Sequence, residues 1–268
     1  MGAKIFARLA SAGRKSGVAA AVAIALASCS ALQAAPISID TFAQPDPSSF
    51  FAVPAGTNTS LALNQAASGA LGGHRDSLFQ VVGQALINSA NGVIGHDTNF
   101  NINAFQLATI NPGPTVATLQ YSGNTAVGFN NAHGLGGGLG VDLVNGTNDR
   151  IQIQFFTCDA LPVPQGLDML MTITSPGGKS STLTKDAPNS QSAFTCDFPF
   201  SQFVGNADFT HVDSVTVAFN GARQTPNVDF EVRGIAAVPE PTSLLTMTLG
   251  GALFGAVQLF NRKRRKSA

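Results

Sequence analysis

The amino-acid sequence alternates apolar and polar residues with a period of two in several separate runs. The apolar positions of the four clearest runs are Ile151, Ile153 and Phe155; Met169, Met171 and Ile173; Val215, Val217 and Phe219; and Val228, Phe230 and Val232. Because successive side chains of a strand point to opposite faces, each run predicts a strand with one face in an apolar core. Turn-forming residues at 145–146, 175–178 and 220–221 separate the runs.

Weaker strand patterns extend this organisation towards the N-terminus, at 37–42, 59–63, 77–82, 116–121 and 126–129. No long amphipathic helix is evident in the sequence. Many short strands between turns are typical of an all-β protein, and we predict a jelly-roll-like β-sandwich for the body at 36–237. A body of about 200 residues is long enough to bury one substantial core.

Charge is distributed unevenly along the 268 residues, although the formal net charge is zero. Four basic residues lie before residue 16, and five lie after residue 261. The segment from Pro36 to Val238 carries six basic residues against thirteen Asp and one Glu, a formal charge of −8. This acidic body excludes nucleic-acid binding driven by phosphate neutralisation, and it disfavours tight binding to anionic lipid.

The first 35 residues have the pattern of a secretory signal peptide. A basic stretch that ends at Lys15 is followed by an Ala-rich apolar run at 17–28 and then by small residues. We predict cleavage after Ala34. The competing interpretation is lipid attachment at Cys29, because Leu-Ala-Ser-Cys at 26–29 fits the loose pattern of a bacterial lipoprotein signal. A retained membrane helix is disfavoured because the apolar run is too short to span about 30 Å.

The last 31 residues contain a proline motif, an apolar segment and a basic cluster, in that order. The motif consists of Val238, Pro239, Glu240 and Pro241, and the uncharged segment 243–260 follows it. Such a segment spans about 27 Å as an α-helix, which predicts a single transmembrane helix. The basic cluster stays cytoplasmic by the positive-inside rule. Its members are Arg262, Lys263, Arg264, Arg265 and Lys266.

This arrangement resembles the PEP-CTERM sorting signal of Gram-negative bacteria, in which Pro-Glu-Pro precedes an apolar helix and a terminal Arg/Lys cluster. The resemblance covers 238–268 and implies handling by an exosortase, an integral-membrane cysteine transpeptidase. It also implies transient anchoring in the inner membrane, cleavage near the motif, and delivery to the cell surface or to extracellular polysaccharide. The motif residues are then substrate: Pro239 and Pro241 keep the chain extended, and Glu240 supplies a negative charge for recognition.

The body is similar, more loosely, to β-sandwich ectodomains that precede PEP-CTERM tails. The similarity rests on Gly-Gly-His-Arg-Asp at 72–76, Asn-Asp-Arg at 148–150, Ala-Asp-Phe at 207–209 and Asp-Phe at 229–230. It implies a fold, and it supplies no catalytic residues.

Two of the three cysteines lie in the body, in matching Phe-Thr-Cys-Asp contexts around Cys158 and Cys196. The exported compartment is oxidising, so we predict a disulfide bond between them. In the chain-entropy model such a bond stabilises the fold by roughly 4 kcal/mol. The alternative is a pair of buried free thiols. A metal site at these thiols is disfavoured because no His residues cluster nearby.

Recognisable catalytic motifs are absent, so no catalytic residue is assigned. The His residues are scattered, at His74, His96, His133 and His211. No cofactor is predicted, although a calcium site is a secondary hypothesis with oxygen ligands from Asp142, Asn148, Asp149, Asp159 and Asp197. Glu231 shares one side of an alternating run with Asp229 and Arg233, which predicts a solvated strand face.

We therefore predict an exported, non-enzymatic protein of the cell surface or the extracellular matrix. The alternative is a secreted carbohydrate-binding module, and a third hypothesis is a secreted hydrolase with an unrecognised site. Sugar-binding sandwiches usually stack Trp or Tyr on pyranose rings, whereas the body has no Trp and only Tyr121. This scarcity disfavours a broad aromatic platform and leaves polar binding through Asp and Asn side chains.

Overall fold

The computed structural model describes residues 35–43, 49–53, 56–85, 90–97, 102–109, 114–123, 138–145, 148–160 and 166–239. The signal peptide up to residue 34, the segment 243–260, the basic cluster and the weak strand pattern at 126–129 lie outside these ranges. Within the described ranges, no helix is long and apolar enough to cross a membrane. The regular structure there consists of strands and of two 3₁₀ turns, Leu71–Gly73 and Phe200–Gln202.

In the described part of the chain there are sixteen strands. They are β1 (Ile37–Asp40), β2 (Ser49–Val53), β3 (Gly56–Thr57), β4 (Ser60–Ala66), β5 (His74–Val81), β6 (Gln84–Ala85), β7 (Ala90–Asp97), β8 (Ile102–Thr109), β9 (Thr115–Tyr121), β10 (Asn148–Asp159), β11 (Leu167–Ser175), β12 (Lys179–Ala187), β13 (Phe194–Pro199), β14 (Val204–Gly205), β15 (Ser214–Phe219) and β16 (Asp229–Pro239). The four alternating runs correspond to β10, β11, β15 and β16, so the all-β prediction is confirmed.

The strands form two seven-stranded antiparallel sheets and one short two-stranded ribbon. Sheet I has the strand order β13-β10-β16-β8-β7-β2, and β1 also pairs with β16. Sheet II has the order β14-β12-β11-β15-β9-β5-β4, and β3 pairs with β6 in the ribbon. Buried residues of both sheets form one hydrophobic cluster, so the sheets pack face to face as a β-sandwich.

Alternation along each strand places the apolar side chains between the two sheets. On β10, Ile151, Ile153 and Phe155 are at most 1% exposed, whereas Gln154 is exposed on the opposite face. The same period-two pattern buries the apolar positions of β11 and β15 in sheet II. Polar residues occupy the opposite, outer face of sheet I, and the candidate site lies on that face.

Phe105 of β8 joins the two sheets through aromatic contacts. Its ring centroid lies 5.4 Å from that of Phe230 in sheet I, and 6.1 and 5.7 Å from those of Phe79 and Phe219 in sheet II. These pairs are tilted or edge-to-face, as the quadrupole of an aromatic ring favours. Phe105 is fully buried, so this cluster forms the centre of the core.

A buried ion pair connects β1 to sheet II. The Nη1 atom of Arg75 on β5 donates to Oδ2 of Asp40 at 2.7 Å, and both side chains are fully buried. The Tyr121 hydroxyl donates to the same oxygen at 2.9 Å, and the Phe42 amide donates to Oδ1 at 2.7 Å. Burial raises the pKa of Asp40, while the Arg75 charge and the three hydrogen bonds oppose that rise.

Both ends of the described body meet in sheet I. Ile37, at the start of β1, lies opposite Ala237 of β16. Strand β16 continues to Pro239, which lies opposite Asn148 of β10. The sheet therefore extends two residues past the predicted body, because Val238 and Pro239 of the proline motif remain paired with β10.

Candidate functional site

An open groove with a volume of about 450 Å³ lies on the outer face of sheet I, where β7, β8, β16 and β10 are neighbours. Most of its polar lining comes from the outward positions of these strands. The polar residues are Gln106, Thr157, Asp159, Gln191, Asp229 and Glu231. The remaining lining residues are Gly92, Val93, Leu107, Ala108 and Phe230.

The strand register explains why these polar residues meet. Gln106 of β8 and Thr157 of β10 both lie opposite Glu231 of β16, so the three residues form one row across the sheet. Asp159 of β10 lies opposite Asp229 of β16 and belongs to a second row. The two rows share a face because they are two residues apart on each strand.

The second row concentrates negative charge in the groove. Burial raises the pKa of Asp229, and the neighbouring Asp159 carboxylate raises it further. The amide of Thr109 donates to Asp229 Oδ1 at 2.9 Å and opposes the rise. Two facing carboxylates offer several hydrogen-bond acceptors, and they repel an anionic ligand.

The prediction that Glu231 lies on a solvated strand face is wrong, because only 8% of this residue is exposed. Gln106 Nε2 donates to Glu231 Oε2 at 3.4 Å, and Arg233 Nε lies 3.8 Å from Oε1. Strands β8 and β10 flank Glu231 on both sides, and the sequence of β16 alone does not show these neighbours.

Three residues on this face are not among the site residues predicted from the sequence: Phe156, Gln106 and Gln191. Phe156 is 38% exposed on β10, directly before the groove residue Thr157. A signal for Phe156 exists in the sequence: it follows Phe155, which the alternation assigns to the core, so Phe156 has to point outward. No comparable signal marks Gln106 and Gln191, because they enter the groove through strand pairing and loop position.

A second polar cluster on sheet I is organised by Arg150. Its guanidinium contacts Asp149 at 2.8 Å and Asp197 at 3.2 Å, and Gln152 Nε2 donates to Asp197 at 2.9 Å. These hydrogen bonds raise the pKa of Arg150, with that from Asp149 as the largest cause. The outer face of sheet I is therefore polar well beyond the groove.

The proposed calcium ligands have other roles in the structure. Asp149 and Asp197 bind Arg150, Asp159 lies in the groove, and Asp142 accepts hydrogen bonds from two nearby backbone amides. Among the described residues, no group of three or more His, Cys, Asp or Glu side chains is arranged to hold a metal ion. The fifth candidate, Asn148, is buried at the start of β10.

The predicted disulfide bond is not formed, and Cys158 and Cys196 are both buried free thiols. Cys196 lies opposite Ile153 of β10, whereas Cys158, five residues further along, lies opposite Ser190. The two cysteines are therefore not a directly facing pair in this sheet. Burial raises the pKa of Cys158 to about 12 and that of Cys196 to about 11, so both thiols stay protonated at neutral pH.

The two histidines whose side chains the structure describes, His74 and His211, do not line the groove. His74 begins β5 in sheet II, and His211 lies on an exposed turn, where its Nδ1 is 3.2 Å from Asp208 Oδ2. His96 belongs to β7, and His133 lies outside the described residues. In the described ranges, the groove lining contains carboxylates and amides and contains no histidine.

The sorting residues are only partly described. Val238 and Pro239 belong to β16, while Glu240 and Pro241 lie outside the described residues, as do the basic cluster at 262–266 and Cys29. Pro239 is the last residue of its strand, a position where its missing amide hydrogen does not interrupt the sheet.

No family model and no curated protein matches the sequence. Among solved structures, the chain is similar to the family 11 carbohydrate-binding module of the cellulosomal cellulase Lic26A-Cel5E of Clostridium thermocellum, with 12% identity, a TM-score of 0.36, and coverage of 76% of this chain and 95% of that chain. It is also similar to a Clostridium thermocellum family 11 module in complex with a β-1,3-1,4-mixed-linked tetrasaccharide, with 10% identity, a TM-score of 0.33 and the same coverage. Similarities at this level are too low to indicate a function.

Proposed function

We propose that this protein is an exported cell-surface protein whose β-sandwich body binds a polysaccharide without cleaving it. The observation that carries the proposal is the polar groove on the outer face of sheet I. Its carboxylates accept hydrogen bonds from sugar hydroxyls, and its glutamine amides both donate and accept them. A protein face that both donates and accepts hydrogen bonds matches the hydroxyl groups of a glycan, which also do both.

The shape and charge of the groove support the same ligand class. Its volume of about 450 Å³ is within the usual size of a ligand site, about 300–1,000 Å³. The groove is open, so a polymer can continue beyond it along the polar face that leads to Arg150. Gln152 and Asp197 provide further hydrogen-bonding groups on that path.

The proposal predicts that neutralising the second row weakens polysaccharide binding. The Asp159→Asn/Asp229→Asn double variant is expected to lose at least tenfold in affinity, because a hydrogen bond to a charged group is worth about 1.5–3 kcal/mol. Affinity electrophoresis and calorimetry against mixed-linkage β-glucan, dextran and galactomannan measure this loss. Asp186→Asn is the matched control, since Asp186 lies on sheet II and pairs with Arg223.

Glycoside hydrolysis is a second candidate, because Asp159 and Asp229 lie directly opposite each other and the pKa of Asp229 is raised. A carboxylate pair with one raised pKa is the arrangement that glycosidases use. The binding experiment separates the two functions when released reducing ends are assayed in parallel. Polysaccharide turnover that is lost in Asp229→Asn, with the fold intact, would replace the binding function by hydrolysis.

We also propose that the C-terminal segment is a PEP-CTERM sorting signal processed by an exosortase. The order of motif, apolar segment and basic cluster at 238–268 supports this, together with the signal peptide pattern at 1–35. Val238 and Pro239 are paired with β10, so they are not available as an extended peptide to a processing enzyme. This pairing favours a cut at or after Glu240. Before that cut, the segment 243–260 anchors the protein transiently in the inner membrane, and the cut releases the body for delivery to the surface.

Processing at the sorting signal predicts that the mature surface protein lacks 261–268. Mass spectrometry of the protein purified from its own cells reads both ends, and it also distinguishes cleavage after Ala34 from lipidation at Cys29. Glu240→Ala is expected to accumulate as unprocessed precursor in the inner membrane, whereas Glu231→Ala is expected to be processed normally. An intact basic tail on the surface protein would instead indicate a plain membrane anchor.

A further inference from the structure

The pairing of β10 with β16 contains two β-bulges beside the groove. The register breaks on both sides of Phe155, which lies opposite Val232. The first break leaves Arg233 of β16 without an opposite residue in this ladder, and the second break does the same for Phe156 of β10. Bulges often lie next to functional sites, where the extra residue directs a side chain away from the regular pattern.

The two bulged residues stack on each other at the surface. The guanidinium carbon of Arg233 lies 3.9 Å from the ring centroid of Phe156, and Glu231 lies beside the same guanidinium. The Arg233 side chain is 42% exposed and Phe156 is 38% exposed. Within the described ranges, the exposed large hydrophobic residues are Phe156, Leu170 and Val204, so Phe156 is the aromatic one among them.

Phe156 presents an exposed aromatic surface on the otherwise polar face of sheet I. A surface cation–π pair contributes only about 0.5–1 kcal/mol to stability. The neighbours Thr157 and Glu231 both line the groove, so the stacked pair is continuous with its polar surface. An apolar surface therefore adjoins a row of hydrogen-bonding groups. A pyranose ring has the complementary surfaces, which are an apolar face of C–H groups and hydroxyl groups at its edge.

We propose that Phe156 and Arg233 form the stacking platform of the groove and hold the apolar face of a neutral pyranose unit. This inference rests on the proposed polysaccharide-binding function. Aromatic faces attract the C–H groups of a sugar ring, and the existing stack needs little ordering when a ligand binds. Asp159, Asp229 and Glu231 repel uronate and sulfate groups, so the polymer that fits this groove is neutral.

Affinity measurements on the full-length chain in detergent test the platform. The probes are mixed-linkage β-glucan, dextran and galactomannan, with polygalacturonate as the anionic comparison. Phe156→Ala is expected to weaken binding of the preferred neutral polymer about five- to tenfold. Leu170→Ala is the matched control, because Leu170 is 37% exposed on sheet II and is expected to leave binding unchanged. Arg233→Lys keeps the charge but loses the planar stack, and a smaller loss is expected.

Fluorescence tests contact with the ligand directly, because the chain contains no Trp. Phe156→Trp places a single indole at the platform and preserves an aromatic face. Saturating neutral polysaccharide is expected to shift its emission to shorter wavelengths, as the ligand excludes water from the ring. Leu170→Trp is expected to show no shift under the same conditions.

The outcomes separate the platform from the groove. Unchanged affinity in Phe156→Ala and no emission shift in Phe156→Trp, with binding still lost in Asp159→Asn/Asp229→Asn, would overturn the platform alone. A wild-type chain that binds none of the polymers would overturn the proposed function together with the platform. Tighter binding of polygalacturonate than of every neutral polymer would overturn the assignment of the ligand as neutral.

Discussion

Replacing Arg75 with Met is expected to lower the free energy of unfolding by about 3–5 kcal/mol. The substitution leaves the buried Asp40 carboxylate without its counter-ion. It also removes the hydrogen bond that Arg75 Nη2 donates to Gln65 Oε1 at 3.1 Å. The ion pair also joins β1 to sheet II, so its loss weakens the attachment of the first strand. Chemical denaturation followed by circular dichroism measures the change.

A surface ion pair serves as the control for this prediction. Arg223 lies 2.8 Å from Asp186, with both side chains partly exposed, and Arg223→Met is expected to change stability by less than about 1 kcal/mol. The Asp40→Asn/Arg75→Met double variant removes both buried charges and is expected to recover part of the loss. If Arg75→Met is no more destabilising than Arg223→Met, the buried pair does not hold the first strand as described.

Phe105→Ala is expected to destabilise the fold by about 3–5 kcal/mol, which is the usual effect of truncating a buried aromatic residue. Its ring contacts Phe230 in sheet I and Phe79 and Phe219 in sheet II, so truncation opens a cavity where the two sheets meet. Thermal and chemical unfolding both report the loss.

Two further substitutions check that the effect of Phe105 comes from its position. Phe105→Leu retains much of the apolar volume and is expected to destabilise less than Phe105→Ala. Phe156→Ala removes the same ring from the surface and is expected to change stability by less than about 1 kcal/mol. Equal losses at the two phenylalanines would contradict the assignment of Phe105 to the core and Phe156 to the surface.

The strands of the core could be predicted from the sequence because their signal is local. Ile151, Ile153 and Phe155 alternate with glutamines, and the structure buries all three on one face of β10. The turn at 175–178 was equally predictable: Gly177 and Gly178 have φ values of 81° and 73°, and they connect β11 to β12. Such positive φ values favour glycine, so sequence and backbone agree there.

The groove could not be predicted, because it depends on which strands become neighbours. Gln106, Thr157 and Glu231 come from three strands that are far apart in the chain, and only the register of β8, β16 and β10 brings them into one row. The failed disulfide prediction has the same cause. The Phe-Thr-Cys-Asp contexts of Cys158 and Cys196 match in sequence, but the register places Cys196 opposite Ile153.

The sequence by itself determined that this body is built from short strands with one buried face and that it is acidic. Both properties follow from the order and charge of neighbouring residues. Only the tertiary structure decided that Asp159 faces Asp229, that Glu231 is covered, and that Phe156 and Arg233 stack beside them. These relations arise from strand order, register and bulges. Those in turn depend on contacts between distant parts of the chain, which no local pattern encodes.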